Sequence, residues 1–111
     1  MESDFGFRMS RSAYSDLDEI MNYISAELAN PQAAVDFFEK LSAAVDEARA
    51  FPESGLTVIN EFLPGVNIRK KLVGNFTMFY YPDYSERIVY ITRIVYSRRN
   101  LDAIIRGMRI D

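Results

Sequence analysis

Neither cysteine nor histidine occurs anywhere in the 111 residues. Without cysteine there is no disulfide and no thiolate metal site. Without histidine the chain lacks the side chain that most often titrates near neutrality and most often ligates metals. Any catalysis must therefore come from Arg, Lys, Tyr, Asp, Glu or Ser, and neither a metal nor any other cofactor is expected. Long apolar runs are missing as well, and the N-terminus has no signal-peptide apolar segment. The expectation is a cytoplasmic protein that does not span a membrane. Phosphate-binding glycine loops, nucleophile elbows and metal motifs are also lacking.

What is present is an ordinary globular composition. Hydrophobic residues make up 49% and charged residues 26%, which argues for an ordered fold over a disordered chain. The length suits one domain, residues 1–111, with a single core. The net charge of −3 conceals a polarity. Residues 1–55 carry 4 basic and 11 acidic side chains, a net of −7, and residues 56–111 carry 9 basic and 5 acidic, a net of +4. Such asymmetry fits either a binding surface on the basic half or acidic helices and basic strands that pair with each other or face solvent.

Phe5 to Met9 alternates apolar and polar residues and reads as a first strand. Ser10 or Ser12 then caps a helix whose apolar stripe is Ala13, Leu17, Ile20, Met21, Ile24 and Leu28. Asn30-Pro31 stops and restarts the chain, with Asn as cap and Pro at the first helical position. The second stripe, Ala34, Phe37, Phe38, Leu41, Val45 and Ala48, predicts a helix of about 18 residues. A connection this short makes the two helices an antiparallel hairpin. Phe51-Pro-Glu-Ser-Gly55 ends it, the pattern from 56 to 65 is loose, and Leu63-Pro-Gly65 is a turn. Asn67 to Val73 is the next strand, with Val66, Ile68 and Leu72 on one face, Asn67, Arg69 and Lys71 on the other, and Lys70 interrupting the apolar row. Gly74-Asn75 signals a type II′ hairpin. Phe76 to Tyr81 is apolar on both faces and therefore central. Pro82 to Glu86 turns the chain, Arg87 to Tyr96 is the last strand, and Asn100 caps a closing helix from Leu101 to Met108. The fold class is α+β, in the order β-α-α-β-β-β-α, a helical hairpin packed on a small, mostly antiparallel sheet.

Candidate chemistry concentrates in the basic half. If Arg69 and Lys71 point away from the helices, the open face of the sheet is concave and basic, suited to phosphates or to an acidic protein segment. Otherwise that face is solvated, with rim ion pairs to Glu86, Glu61 or Asp83. Arg98 and Arg99 form a charged corner, Ser97-Arg98-Arg99-Asn100, at the end of a buried strand. Tyr80, Tyr81, Tyr84, Tyr90 and Tyr96 suit base stacking or proton donation, but sheet packing explains most of them. Tyr96, which abuts the corner, is the one least explained by packing. Asp16, Asp18, Glu19, Asp46 and Glu47 read as solvated faces and form no metal arrangement.

Over nearly its whole length the chain resembles the RelE/ParE toxin superfamily of bacterial type II toxin–antitoxin systems. The resemblance is carried by Ala13-Tyr-Ser-Asp-Leu-Asp-Glu-Ile20, Phe51-Pro-Glu-Ser-Gly55, Phe76-Thr-Met-Phe-Tyr-Tyr-Pro82 and Ile91-Thr-Arg-Ile-Val-Tyr-Ser-Arg-Arg-Asn-Leu-Asp-Ala-Ile-Ile105. It implies a toxin of a plasmid-stabilisation type, held in a hetero-oligomer by a cognate antitoxin, with no sequence-specific DNA binding of its own. RelE-like members cut ribosome-bound mRNA with clustered basic residues and a C-terminal tyrosine; ParE-like members poison DNA gyrase without chemistry of their own. On the RelE pattern Arg69, Lys71 and Arg98 match basic positions. The arginine expected in the third strand falls near Thr77, however, and no tyrosine follows Tyr96. The run from Arg93 to Asp102 resembles the ParE version of the corner, although Tyr96 stands where many members have histidine. The resemblance therefore favours a ParE-like gyrase inhibitor whose activity rests on Arg98, Arg99 and Tyr96, with Arg69 and Lys71 as further contacts. The alternatives it leaves are a RelE-like endoribonuclease and a non-toxic relic that only binds antitoxin.

Overall fold

The computed structural model describes residues 4–58 and 65–108. Strand β1 (Gly6–Met9) leads into helix α1 (Arg11–Asn22), which continues as one π-helical turn, Tyr23–Glu27. Helix α2 (Pro31–Ala50) follows, then β2 (Leu56–Thr57), β3 (Arg69–Val73), β4 (Phe76–Asp83), β5 (Ile88–Tyr96) and α3 (Leu101–Arg106). The five strands form one sheet in the order β1-β5-β4-β3-β2, antiparallel except for the β1–β5 pair. β4 is central, as its two apolar faces require. The two residues of β2 are a strand absent from the sequence reading. The turn expected at Leu63-Pro-Gly65 falls partly, and Glu61 wholly, outside the described residues.

The expected caps all form. Ser10 Oγ accepts the Ala13 N–H at 3.0 Å, Asn30 Oδ1 accepts the Ala33 N–H at 3.1 Å, and Asn100 Oδ1 accepts the Ala103 N–H at 3.1 Å. Each satisfies a donor that the first helical turn leaves free. Gly74 sits at φ +60° while Asn75 does not take positive φ, which is the type II′ pattern.

Each face of the sheet carries its own core. The α1–α2 hairpin covers one face, burying Phe37, Leu41 and Val45 against Val73, Met78, Tyr80, Val89, Ile91 and Ile94. On the opposite face α3 buries Ile104 and Ile105 against Ile68, Phe79 and Val95. A one-residue bulge makes this possible. Phe79 pairs with Arg93 and Tyr80 with Ile91, so Thr92 is the extra residue. The bulge shifts the alternation of β5, which puts Ile94 on the hairpin face and Val95 on the α3 face.

Three assignments change in the structure. Leu28 is 53% exposed and Phe38 49% exposed, although both belonged to predicted apolar stripes. For Leu28 the cause is the π turn, whose extra residue rotates it away from the line of Ile20 and Ile24. Phe38 lies one step around the helix from buried Phe37, at the rim of the covered face. Asp16 is the third: it is buried, not solvated. Its carboxylate accepts Arg93 Nε at 2.7 Å, Arg93 Nη2 at 3.0 Å and the Ile94 N–H at 2.9 Å. These hydrogen bonds push the Arg93 guanidinium pKa further above its ordinary value.

Two residues past the end of the π turn, Ala29 adopts φ +48°, a left-handed conformation that glycine usually occupies at a helix C-terminus. Ala29→Gly is expected to raise the unfolding free energy by about 0.5 kcal/mol, the strain relieved exceeding the added freedom of the unfolded chain. A urea midpoint that falls instead would show that Ala29 is unstrained.

Candidate functional site

The corner after β5 has a pinned backbone and two exposed arginine side chains. The Ser97 N–H donates to Asn75 O at 2.9 Å, and the Arg99 N–H closes back on Tyr96 O at 3.0 Å. The Ser97 and Thr77 hydroxyls share a hydrogen bond of 2.8 Å. Arg98 and Arg99 are exposed, and neither makes an ion pair with a described residue. Two guanidinium groups are thus presented to solvent on a backbone that does not need to reorganise. Tyr96 is 42% exposed and packs its ring edge-on against Phe76, on the hairpin face.

Arg69 and Lys71 lie elsewhere, and the basic open face expected of them is corrected. They share the parity of Val73, whose side chain is buried under the hairpin, so both point towards α2. Arg69 Nη1 donates to Gly55 O at 2.8 Å and Glu53 O at 3.1 Å, and its Nε is buried without a hydrogen-bond partner. Lys71 pairs with Glu47 and donates to Ser54 Oγ at 2.8 Å. Both cations therefore staple the loop after α2 to β3. Arg69 and Lys71 are engaged by described partners and Arg98 is not, so the trio Arg69, Lys71 and Arg98 is not presented as three free cations. The basic residue of β3 that faces the α3 side is Lys70, which sequence reasoning treated only as an interruption. The sequence carried no signal that chose between the parities, since Val73 on one side is matched by Ile68 and Leu72 on the other; burial of Val73 settles it in the structure.

A groove of about 620 Å³ opens between the end of the hairpin and the upper part of β5. Ile20, Ile24 and Leu28 form one wall and Phe76, Ile94 and Tyr96 the other, with Glu19 and Arg99 among its polar lining. The groove exists because β1 pairs with β5 only from Ile88 to Ile91. Beyond that point the edge of β5 is met by α1. There Ser10 Oγ donates to Thr92 O at 2.8 Å, and Asp16 takes the Ile94 N–H.

The remaining tyrosines are structural. Tyr80 is buried, accepts the Gly55 N–H at 2.8 Å and donates to Pro52 O at 2.8 Å. Tyr81 and Tyr90 stack with centroids 5.1 Å apart. Burial, then Asp83, raises the Tyr81 pKa above 10; burial, then the Glu53 hydrogen bond, raises that of Tyr84; the Glu86 hydrogen bond chiefly raises that of Tyr90. These three phenols stay protonated near neutrality and are poorly placed to act as bases. Among the described residues no cluster of three or more acidic side chains is arranged to hold a metal. No helix among them is long and apolar enough to cross a membrane.

The arrangement has known counterparts. The chain matches the family described as the ParE toxin of the type II toxin–antitoxin system, parDE, over residues 7–101. No curated protein matches it. Among solved structures it resembles a chain of the chromosomal ParDE toxin–antitoxin system from Pseudomonas aeruginosa, at 21% identity and a TM-score of 0.63, covering 83% of this chain and 95% of that one. A chain of the toxin–antitoxin complex RelBE2 from Mycobacterium tuberculosis is similar at 16% identity and a TM-score of 0.55, covering 84% and 98%. A chain of the archaeal RelE–RelB complex from Pyrococcus horikoshii is similar at 11% identity and a TM-score of 0.58, covering 86% and 98%. These likenesses establish the shared fold, and the match over residues 7–101 establishes the family: this chain belongs to the ParE toxins of type II toxin–antitoxin systems.

Proposed function

We propose that the protein acts in the cytoplasm by binding DNA gyrase and blocking its activity through protein–protein contact, held in check by an antitoxin encoded beside it. The observation that carries the reading is the division among the basic residues. Arg98 and Arg99 are exposed and make no ion pair with a described residue, while Arg69 and Lys71 are spent on internal contacts. A nuclease of the RelE kind needs its cations gathered around one phosphate, so this division favours a surface that grips over one that cuts. The 620 Å³ groove offers the antitoxin an apolar seat with Arg99 at its margin. A helix presenting apolar side chains along one face suits it. The outer edge of β1 is a second contact, shorter than the strand itself. The Phe5 N–H donates to Arg49 O and Phe5 O accepts Arg49 Nε, leaving only Phe7 and Met9 available to a partner strand.

The test is purified protein in a gyrase supercoiling assay beside a ribosomal toeprinting assay. Inhibited supercoiling without transcript cleavage supports the reading, and cleavage in the decoding centre replaces it with the enzyme. The Arg98→Ala, Arg99→Ala double variant is expected to keep its urea midpoint, since both side chains are exposed and neither is paired with a described residue. The same variant should no longer arrest growth. A variant that remains fully toxic would remove the corner from the mechanism.

A further inference from the structure

β2 pairs with β3 only at Arg69 and Lys70. Among the described residues no strand covers the outer edge of β3 beyond that point. The Val58 N–H donates to Ile68 O, so that carbonyl faces β2, and the backbone groups of Lys70 and Leu72 face the same side at steps of two. Leu72 therefore turns its N–H and C=O towards an uncovered edge. Its side chain is 74% exposed, and that of Leu56, opposite Lys70, is 70% exposed. Proteins normally protect such an edge or use it. Here Leu56, Lys70, Lys71, Leu72, Ser97 and Leu101 are among the residues lining a depression of about 560 Å³, where the Lys71 charge is offset by Glu47. Ser97 and Leu101 bracket the arginine corner in the chain. Unlike its two neighbours in β3, Lys70 makes no ion pair or side-chain hydrogen bond with a described residue.

We infer that this edge is where the toxin holds its target, by adding to β3 an extended segment in which acidic and apolar side chains alternate. The inference rests on the gyrase reading above and locates its contact surface. The backbone of Leu72 pairs with the added strand, apolar side chains settle on Leu56 and Leu72, and a carboxylate meets Lys70 with Arg98 close behind. A protein segment fits better than RNA. The depression has cations but no aromatic ring among its lining residues on which a base would stack. Lys70 is the cation of β3 left without a described partner, whereas Lys71, which also lines the depression, is tied to Glu47 and Ser54.

The test uses purified DNA gyrase with relaxed plasmid and three variants: Leu72→Asp combined with Lys70→Glu, Leu56→Asp alone, and Phe38→Asp on the outer face of α2. Folding of each is checked by its urea midpoint. The first two are expected to need at least tenfold more protein for half-maximal inhibition, and Phe38→Asp, equally a loss of exposed apolar surface, should match wild type. Wild-type potency in folded Leu72→Asp, Lys70→Glu and Leu56→Asp proteins would overturn this surface while leaving the gyrase reading intact. A wild-type protein that leaves supercoiling untouched would overturn both. Cleavage of ribosome-bound transcripts that depends on Lys70 would make the occupant RNA and reject the protein segment.

Discussion

Replacing Asp16 with alanine is expected to lower the unfolding free energy by about 3 kcal/mol. The carboxylate is 9% exposed in its side chain and Arg93 21% exposed, so removing the acid strands a largely buried guanidinium. It also leaves the Ile94 N–H without its acceptor, at a point where no described strand continues the sheet. Loss of one partner from such a buried pair costs more than the pair contributes, because the survivor keeps its desolvation penalty. Partial exposure of Arg93 lets water recover some of this, which sets the expectation at the low end of the usual range. Asp16→Asn retains an oxygen for the amide but not the charge, and should fall between alanine and wild type. Exposed Asp18, two residues along, is the control, and Asp18→Ala should change stability by no more than about 0.5 kcal/mol. Urea unfolding with an unchanged m-value measures all three. An Asp16→Ala midpoint equal to wild type would mean that the clamp contributes nothing.

Gly55→Ala should be as damaging, for a steric reason. An added Cβ would lie 2.6 Å from Tyr80 Oη, 2.8 Å from Tyr80 Cε1 and 2.9 Å from Lys70 O. Lys70 O is backbone within the sheet, and Tyr80 is fully buried, so neither yields easily. The collision also displaces the phenol that bonds both the Gly55 N–H and Pro52 O. Overpacking plus one or two broken buried hydrogen bonds comes to about 3 kcal/mol. Tyr80→Phe alone should cost about 1–2 kcal/mol. In the double variant the closest clashing atom is gone, so the two losses should sum to less than their separate values. Full additivity would show that the alanine methyl finds room without moving the ring.

Those two sites mark where the sequence stops being readable. The helices, their serine and asparagine caps, the Gly74 turn and the two-sided strand β4 all follow from local spacing, and the structure has them in place. Asp16 looks like any acid near a helix start. Its role depends on Arg93, 77 positions later, and on the bulge at Thr92 that offsets the two halves of β5. β2 has too few residues for an alternating pattern and exists only because β3 is beside it. For Arg69 and Lys71 the alternation of β3 was legible, but the face covered by the hairpin was not, because a period of two assigns partners to a side without naming the side. The arginine corner was visible as composition. Its freedom from internal partners was not, since that requires knowing where every acidic residue of the first half comes to rest.

The parallel pairing of β1 with β5 orders events during synthesis. Gly6 meets Ile88, so β1 has no neighbour in the sheet until about 80 further residues have been made. At translation speeds of about 5–20 residues per second that interval is on the order of 4–16 seconds. The arginine pair appears later still in the growing chain. Neither the complete sheet nor the arginine corner can therefore form before the last strand is made, which delays any surface built on them to the end of that interval.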